Sequence, residues 1–155
     1  MPKLDRDNIP YQGGSGYPGK LARAGDGRGV QRLGDAGGIT QYGVNMVRLE
    51  PGAMSALRHY HMNQDEFAIV TEGTCTLIDD DGEHLMQVGD CATFPAGDEN
   101  GHHIVNRSDQ PASFLVVGTR TPTETAYYSD MDMMVTAKDG QLTFTRKDGS
   151  PLEDI

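Results

Sequence analysis

The most informative part of the sequence runs from His59 to Gly73 and reads HYHMNQDEFAIVTEG. Side chains in a β-strand alternate between its two faces, so His59 and His61 point the same way and Tyr60 points the opposite way. Two neighbouring imidazoles on one face are a natural pair of ligands for a transition metal. The stretch therefore predicts a strand with a candidate metal-binding face, followed by an apolar strand that begins at Glu66.

A carboxylate and a second histidine pair are candidates to complete such a site. Glu66 supplies a third ligand if it faces the same interior, in which case Asp65 faces away. Further along the chain, His102 and His103 lie in another predicted strand and point to opposite faces. One of them can close the site, and the other then lies at the opposite surface. An exposed polar edge is the alternative, but Leu57 shares the face of the first pair, and unpaired polar groups in an interior are costly.

The chain from residue 39 onward shows short apolar or alternating runs separated by turn sequences, which is the pattern of β-strands. Turns such as Asp81-Gly82 and Asp139-Gly140 are typical of antiparallel hairpins. No window of a dozen residues keeps a helical apolar period, so an all-β barrel or sandwich is favoured. The predicted strands are 41–49, 56–61, 66–70, 74–79, 84–87, 91–94, 102–106, 113–118 and 141–146.

The beginning of the chain has a different composition. Eleven of the 20 glycines fall within the first 43 residues, and such a composition resists regular helix or sheet. We interpret residues 1–38 as an extended, glycine-rich N-terminal arm, ordered only if it lies along the body of the domain or along a partner subunit. True disorder of the arm is the alternative. Residues 39–155 are interpreted as a single barrel domain that includes a C-terminal hairpin.

Charge and cysteine content narrow the function classes. The chain has 13 basic and 23 acidic residues, a formal net charge of −10, and such a field repels phosphate backbones and anionic lipid surfaces. Nucleic-acid binding and docking on a membrane are therefore disfavoured. No apolar run approaches the roughly 20 residues that span a bilayer, and the first residues do not form the apolar region of a signal peptide. Two cysteines are too few for a disulfide scaffold, so a cytoplasmic location is expected.

Two motifs in the sequence resemble those of the cupin family. They consist of Gly52, His59, His61, Glu66 and Gly73, and of Gly89, Pro95, Ala96, Gly97, His102 and Asn106. The resemblance implies a double-stranded β-helix, a small antiparallel jelly-roll barrel, with the site inside its mouth. It also implies His59, His61, Glu66 and His102 as metal ligands, because His102 rather than His103 has the family's spacing to asparagine. Four residues separate Gly97 from His102 where the family has two, so His103 is the alternative ligand.

Asn106 has two interpretations. Its side-chain amide either steadies His102 or a bound water, or it caps the strand.

Many cupins are dimers, so the resemblance also implies a homodimer.

The resemblance implies a class of chemistry as well. Three imidazoles and one carboxylate leave two neighbouring positions free on an octahedral ion, which suits one divalent Mn, Fe, Ni or Zn per chain without selecting among them. The free positions allow an oxygen-rich small molecule, such as a 2-oxo acid or a dicarboxylate, to chelate. We therefore expect a small metalloenzyme of the dioxygenase, decarboxylase, isomerase or lyase type. A non-catalytic metabolite-binding or sensor cupin is the alternative, and the lack of a DNA-binding helix-turn-helix beside the barrel favours catalysis.

Overall fold

The computed structural model describes residues 2–153, and across this range the chain forms thirteen β-strands with very little helix. A single four-residue helix, α1, spans Leu33–Ala36, and short 3-10 helices span Arg6–Asn8 and Gly19–Gly25. The strands are β1 (Gln12–Gly13), β2 (Arg28–Arg32), β3 (Tyr42–Leu49), β4 (His59–His61), β5 (Glu66–Glu72), β6 (Cys75–Asp79), β7 (Gly82–Met86), β8 (Cys91–Phe94), β9 (His103–Val105), β10 (Ala112–Thr119), β11 (Thr123–Tyr128), β12 (Met134–Lys138) and β13 (Gln141–Thr145). Each of the nine predicted strands is present, with ends shifted by at most three residues.

The strands form two antiparallel walls. The first wall is a six-stranded sheet in the order β1-β2-β3-β10-β5-β8. The second consists of the sheets β13-β12-β11-β4 and β7-β6-β9, which are joined where the backbones of His59 and His102 form an antiparallel bridge. This arrangement confirms the all-β jelly-roll barrel.

The core lies between the two walls and follows from strand alternation. Leu49, Val70 and Phe114 face inward from the first wall and are almost completely buried, and Cys75 and Ile104 face them from the second. Burial of each large apolar side chain stabilises the fold by about 1.5–3 kcal/mol. No helix in the described part of the chain has the length and apolar character needed to cross a membrane.

The N-terminal arm contains more regular structure than its glycine content predicts. Its strand β2 pairs with β3 inside the first wall, with Val30 opposite Val47, so part of the arm belongs to the barrel. Earlier in the arm, the backbone at Gly25 packs closely against the backbone at Gly14, where a Cβ at Gly25 would lie 2.4 Å from the carbonyl carbon of Gly14. A residue with a Cβ atom would overlap the backbone of Gly14 at this distance, which explains why position 25 is a glycine.

Two strands near the C-terminus, β11 and β12, were not predicted. The inward face of β11 carries Glu124, Ala126 and Tyr128, all of which are buried. The strand itself pairs antiparallel with β4. Because this inward face carries a carboxylate and a small residue, the segment lacks the alternation of large apolar and polar side chains by which the other strands were predicted. One of these three residues contributes to the site described next.

Candidate functional site

The two histidine motifs meet because their backbones pair directly. The amide N–H of His59 donates to the carbonyl of His102 (3.2 Å), and the amide N–H of His102 donates to the carbonyl of His59 (2.9 Å). Glu66 begins β5, where it is paired with Phe94 of β8. The ring of Phe94 stacks on the His102 imidazole with ring centroids 3.4 Å apart. Four side chains from distant parts of the chain, His59, His61, Glu66 and His102, thus come together as a histidine–glutamate cluster.

The donor atoms of the cluster approach one another closely. His59 Nε2 lies 3.2 Å from His61 Nε2, His102 Nε2 lies 3.3 Å from Glu66 Oε1, and His61 Nε2 lies 3.7 Å from Glu66 Oε2. With metal–ligand bonds of about 2.1 Å, neighbouring donors are about 3.0 Å apart in an octahedron and about 3.4 Å apart in a tetrahedron. The observed separations lie near this range. Within residues 2–153, however, no group of three or more His, Cys, Asp or Glu side chains is placed so that it could hold a metal ion as it stands, so ligation by the cluster stays a prediction.

The protonation states of His59 and Glu66 suit the binding of a metal cation. His59 Nδ1 donates to the carbonyl of Leu57 (2.6 Å), which leaves the lone pair on Nε2, the atom that faces the cluster. Burial, followed by the charge of His61, lowers the pKa of His59 to about 4, so this imidazole is neutral at pH 7. Burial alone would raise the pKa of Glu66, but the hydrogen bond and charge of His102, and then the charges of the other two histidines, lower it overall. Neutral imidazole and ionised carboxylate are the forms that metals bind.

The outer nitrogens of two of these histidines have no hydrogen-bond partner. Nδ1 of His61 and Nδ1 of His102 are both buried and unpaired among the described residues. The nearest carboxylate oxygen to His61 Nδ1 is Oε2 of Glu124, 3.9 Å away. Glu124 is 7% exposed and accepts hydrogen bonds from the backbone N–H groups of Asn63 (3.0 and 3.2 Å) and Thr125 (2.6 Å). A carboxylate behind a ligating histidine is a common supporting element of metal sites.

Sequence reasoning missed Glu124. The signal that could have found it is the alternation of a glutamate with Ala126 and Tyr128, which places an acidic group on the buried face of a strand. Burial of a carboxylate requires a partner, and such a residue is therefore a candidate for a site.

The structure separates the two adjacent histidines, as strand alternation predicts. His102 joins the cluster and is 4% exposed, whereas His103 faces the other way and its Nδ1 donates to the carbonyl of Ala56 (2.8 Å). The longer turn before His102 is held in place at two points. The side chain of Asn100 accepts from the backbone N–H of Asp80 (2.8 Å), and Gly101 lies so close to Ser129 that a Cβ would be 1.8 Å from its hydroxyl oxygen.

Asp65 and Asn106 lie away from the cluster. Asp65 is exposed and its carboxylate accepts from the backbone N–H of Ala96 (2.8 Å), so it faces away from Glu66 as expected. Asn106 is fully buried, and its amide donates to the carbonyls of Leu49 (2.9 Å) and Gln110 (2.7 Å). These bonds tie the residue after β9 to the end of β3 and to the loop before β10, as the strand-capping interpretation expects.

A central cavity of about 340 Å³ adjoins the cluster. His59, Glu66 and His102 line one part of it, and apolar side chains such as Phe114 and Val116 line another. A smaller cleft of about 180 Å³ reaches His61 and His102 from the side of Pro95 and Asn100. The larger space has the size of a small-molecule binding pocket.

The N-terminal arm supplies part of the cavity wall. The ring of Tyr17 packs edge-on against Tyr128 and Phe144, with centroids 5.6 and 5.8 Å away. Its hydroxyl oxygen accepts from the backbone N–H of Leu57 (3.1 Å). Burial raises the pKa of Tyr17 and of Tyr128, so both hydroxyls are neutral at pH 7.

Comparison with known proteins agrees with this fold. Residues 45–118 match the model of the cupin domain family. A cupin-superfamily protein of known structure from Silicibacter pomeroyi DSS-3 is 69% identical, with 98% of this chain and 97% of that chain covered and a TM-score of 0.97. The chain therefore belongs to the cupin superfamily, as its two motifs predict. The Silicibacter pomeroyi protein is named as a sugar phosphate isomerase.

More distant structures share the fold alone. A protein from Acidithiobacillus ferrooxidans, provisionally named a sugar phosphate isomerase, is 24% identical with a TM-score of 0.74, and 83% of this chain and 81% of that chain are covered. The polyketide cyclase RemF from Streptomyces resistomycificus is 18% identical with a TM-score of 0.60, and 77% of this chain and 79% of that chain are covered. No significant match to a curated protein was found.

Proposed function

We propose that this protein is a metal-dependent isomerase that acts on a sugar phosphate. The observation that carries the proposal is the histidine–glutamate cluster at the edge of a cavity large enough for a small molecule. Isomerases are among the reaction types that the sequence predicts. The 69% identical protein from Silicibacter pomeroyi is named as a sugar phosphate isomerase, which supports isomerisation among the predicted reaction types.

The four side chains of the cluster would hold one divalent Mn, Fe, Ni or Zn per chain. When bound, such a metal supplies Lewis acidity to neighbouring oxygens of a substrate. The residues present fit this group, since His59 offers an unprotonated Nε2 and Glu66 an ionised carboxylate. The unpaired Nδ1 atoms of His61 and His102 are free to carry the proton that a ligating histidine keeps on its other nitrogen.

The remaining cavity residues position the substrate and limit the access of water. Phe114 and Val116 form an apolar surface, which strengthens electrostatic interactions in the enclosed space. The neutral hydroxyl of Tyr128 and the hydroxyl of Tyr17 lie on the opposite wall. Hydroxyl groups both donate and accept hydrogen bonds, so they suit the hydroxyl groups of a sugar.

The test begins with elemental analysis of protein purified without a metal-affinity tag. NMR spectroscopy of a panel of aldose and ketose phosphates, incubated with the metal-loaded protein, then detects isomerisation. Glu66→Ala and His102→Ala should each lower bound metal at least tenfold and abolish turnover, while His103→Ala, the matched control, retains both. Normal metal content in the first two variants, or a larger loss in the control, contradicts the proposal. A sugar phosphate that binds without conversion supports the alternative of a non-catalytic metabolite-binding cupin.

Assembly and location are part of the proposal. The family resemblance supports a homodimer, which light scattering on the purified protein tests. The acidic composition and the small number of cysteines support a cytoplasmic location.

A further inference from the structure

Strand β2 of the N-terminal arm presents two arginines to the central cavity. Arg28, Val30 and Arg32 alternate with Gly29 and Gln31, so all three share one face of the strand. Val30 is 4% exposed and belongs to the hydrophobic core, which identifies this face as the inner one. Both arginines line the same cavity as the histidine–glutamate cluster.

Neither arginine is paired with a carboxylate among residues 2–153. Four other arginines contact Asp or Glu within 4 Å, at positions 48, 58, 107 and 120. The chain has ten more acidic than basic residues, yet no described Asp or Glu lies within 4 Å of either arginine of the cavity. Two unpaired guanidinium groups that face one cavity therefore form a local positive region in an acidic protein.

The environment of Arg28 leaves a donor free. Its Nε is buried and has no hydrogen-bond partner in the described structure, although its Nη1 donates to the carbonyl of Gly14 (3.1 Å). Burial, and to a smaller extent the charge of Arg32, lowers the pKa of Arg28, but an arginine side chain remains protonated in proteins. Arg32 is exposed and its Nε donates to the neutral side chain of Gln12 (3.1 Å). A buried donor without a partner is costly, and an anion in the cavity could accept from this Nε of the half-buried Arg28.

We propose that Arg28 and Arg32 form the binding site for the phosphate group of the substrate. The inference rests on the proposed function, because it assigns the anionic end of a sugar phosphate to the same cavity. A phosphate monoester carries close to two negative charges at pH 7, which matches two guanidinium groups better than a single carboxylate does. Guanidinium groups also bind phosphate oxygens through paired N–H donors.

The sheet order predicts which phosphate esters fit. Strands β3 and β10 separate β2 from β5, which carries Glu66, so the backbones of β2 and β5 are about 14 Å apart along the sheet, or three strand spacings. The phosphate therefore lies at the end of the substrate remote from the metal-binding cluster. Sugars phosphorylated on their terminal carbon fit this arrangement, whereas sugar 1-phosphates place the anion next to the reacting carbons.

Calorimetric titration of inorganic phosphate into the full-length protein tests the inference. Metal is first removed by chelation, so that phosphate has no cation to bind, and the ionic strength is kept low. Arg28→Gln and Arg32→Gln should each weaken phosphate binding at least tenfold, and acetate should bind more weakly than phosphate to the unmodified protein. Arg48→Gln is the matched control, because Arg48 lies in the same sheet and contacts Glu50 and Glu72 instead of the cavity.

Unchanged phosphate affinity in both variants, or no phosphate binding by the unmodified protein, overturns the inference. Arg32 is exposed, so Arg32→Gln decides the question if Arg28→Gln does not fold, as judged by circular dichroism. Failure of the proposed function is distinguishable. If the metal-loaded protein converts no sugar phosphate but the arginine variants bind phosphate more weakly, the proposed isomerase is refuted and the phosphate site is supported. If sugar phosphates are converted and the KM is unchanged in the arginine variants, the isomerase stands and the anion site is refuted.

Discussion

Replacing Glu124 with glutamine tests whether the buried carboxylate behind His61 supports the site. The change keeps the side-chain volume and removes the negative charge. In the native protein this carboxylate accepts backbone hydrogen bonds from Asn63 and Thr125. A hydrogen bond to a charged group contributes about 1.5–3 kcal/mol and a neutral one about 0.5–1.5 kcal/mol. The loss of charge on two such bonds should therefore lower the free energy of unfolding of metal-free protein by about 2 kcal/mol.

The same change should weaken metal binding by a separate route. Partners that hydrogen-bond to ligating histidines typically contribute 10–100-fold to metal affinity. The 3.9 Å between Glu124 Oε2 and His61 Nδ1 is longer than a hydrogen bond, so we expect the lower end of this range, about tenfold, which corresponds to about 1.4 kcal/mol. Competition with a chromogenic chelator measures this affinity, and urea denaturation of the metal-free protein measures stability. Glu83→Gln is the matched control, because Glu83 is 51% exposed and contacts Arg107 instead of a histidine. A Glu124→Gln protein whose metal affinity equals that of the control would refute the supporting role.

Three further predictions concern the fold and the acid sensitivity of the site. Phe114→Ala removes a ring that is 2% exposed in the core and should lower the free energy of unfolding by about 3–5 kcal/mol; a loss below 1 kcal/mol in urea denaturation would contradict the packing described. Gly25→Ala should displace the start of the N-terminal arm, because its Cβ would overlap Gly14. The expected readout is faster proteolysis near residue 20 than in Gly37→Ala, where the backbone φ is negative and a Cβ would lie no closer than 3.6 Å to its neighbours. Folding lowers the pKa of His59 from 6.5 to about 4, so the unfolded state binds more protons between these values. The stability of metal-free protein should therefore be constant above about pH 6.5 and fall as the pH is lowered toward 4. A His59→Gln protein with the same decrease would show that another group is responsible.

Much of the barrel was predictable because its strands follow simple alternation. His59 and His61 predict a common face from spacing alone, and the structure places both imidazoles in one cluster. The family resemblance correctly implied the jelly-roll architecture, which the spacing of turns alone did not distinguish from other all-β folds. It also favoured His102 over His103 despite the longer turn, and only the structure shows that Asn100 and Gly101 hold this turn in register.

The features that were missed share a physical cause. Strand β2 is surrounded by glycines and presents Arg28 and Arg32 on its inner face, and β11 presents Glu124 on its own. Inward polar residues reverse the pattern by which an amphipathic strand is recognised, so the segments that deviate from it are those that supply charged groups to the interior. The sequence left two roles open for Asn106, and its hydrogen bonds to Leu49 and Gln110 are those of a residue that caps a strand.

The position of β2 has a consequence for how such barrels diverge. The region matched by the family model begins at residue 45, yet Tyr17, Arg28 and Arg32 all precede it and line the cavity. A protein trimmed to the family region would keep His59, His61, Glu66 and His102 but would lose Tyr17, Arg28 and Arg32, together with strands β11 to β13. Exchange of the segment before residue 45 between homologous barrels should therefore change which ligand binds, while the four candidate metal ligands stay the same.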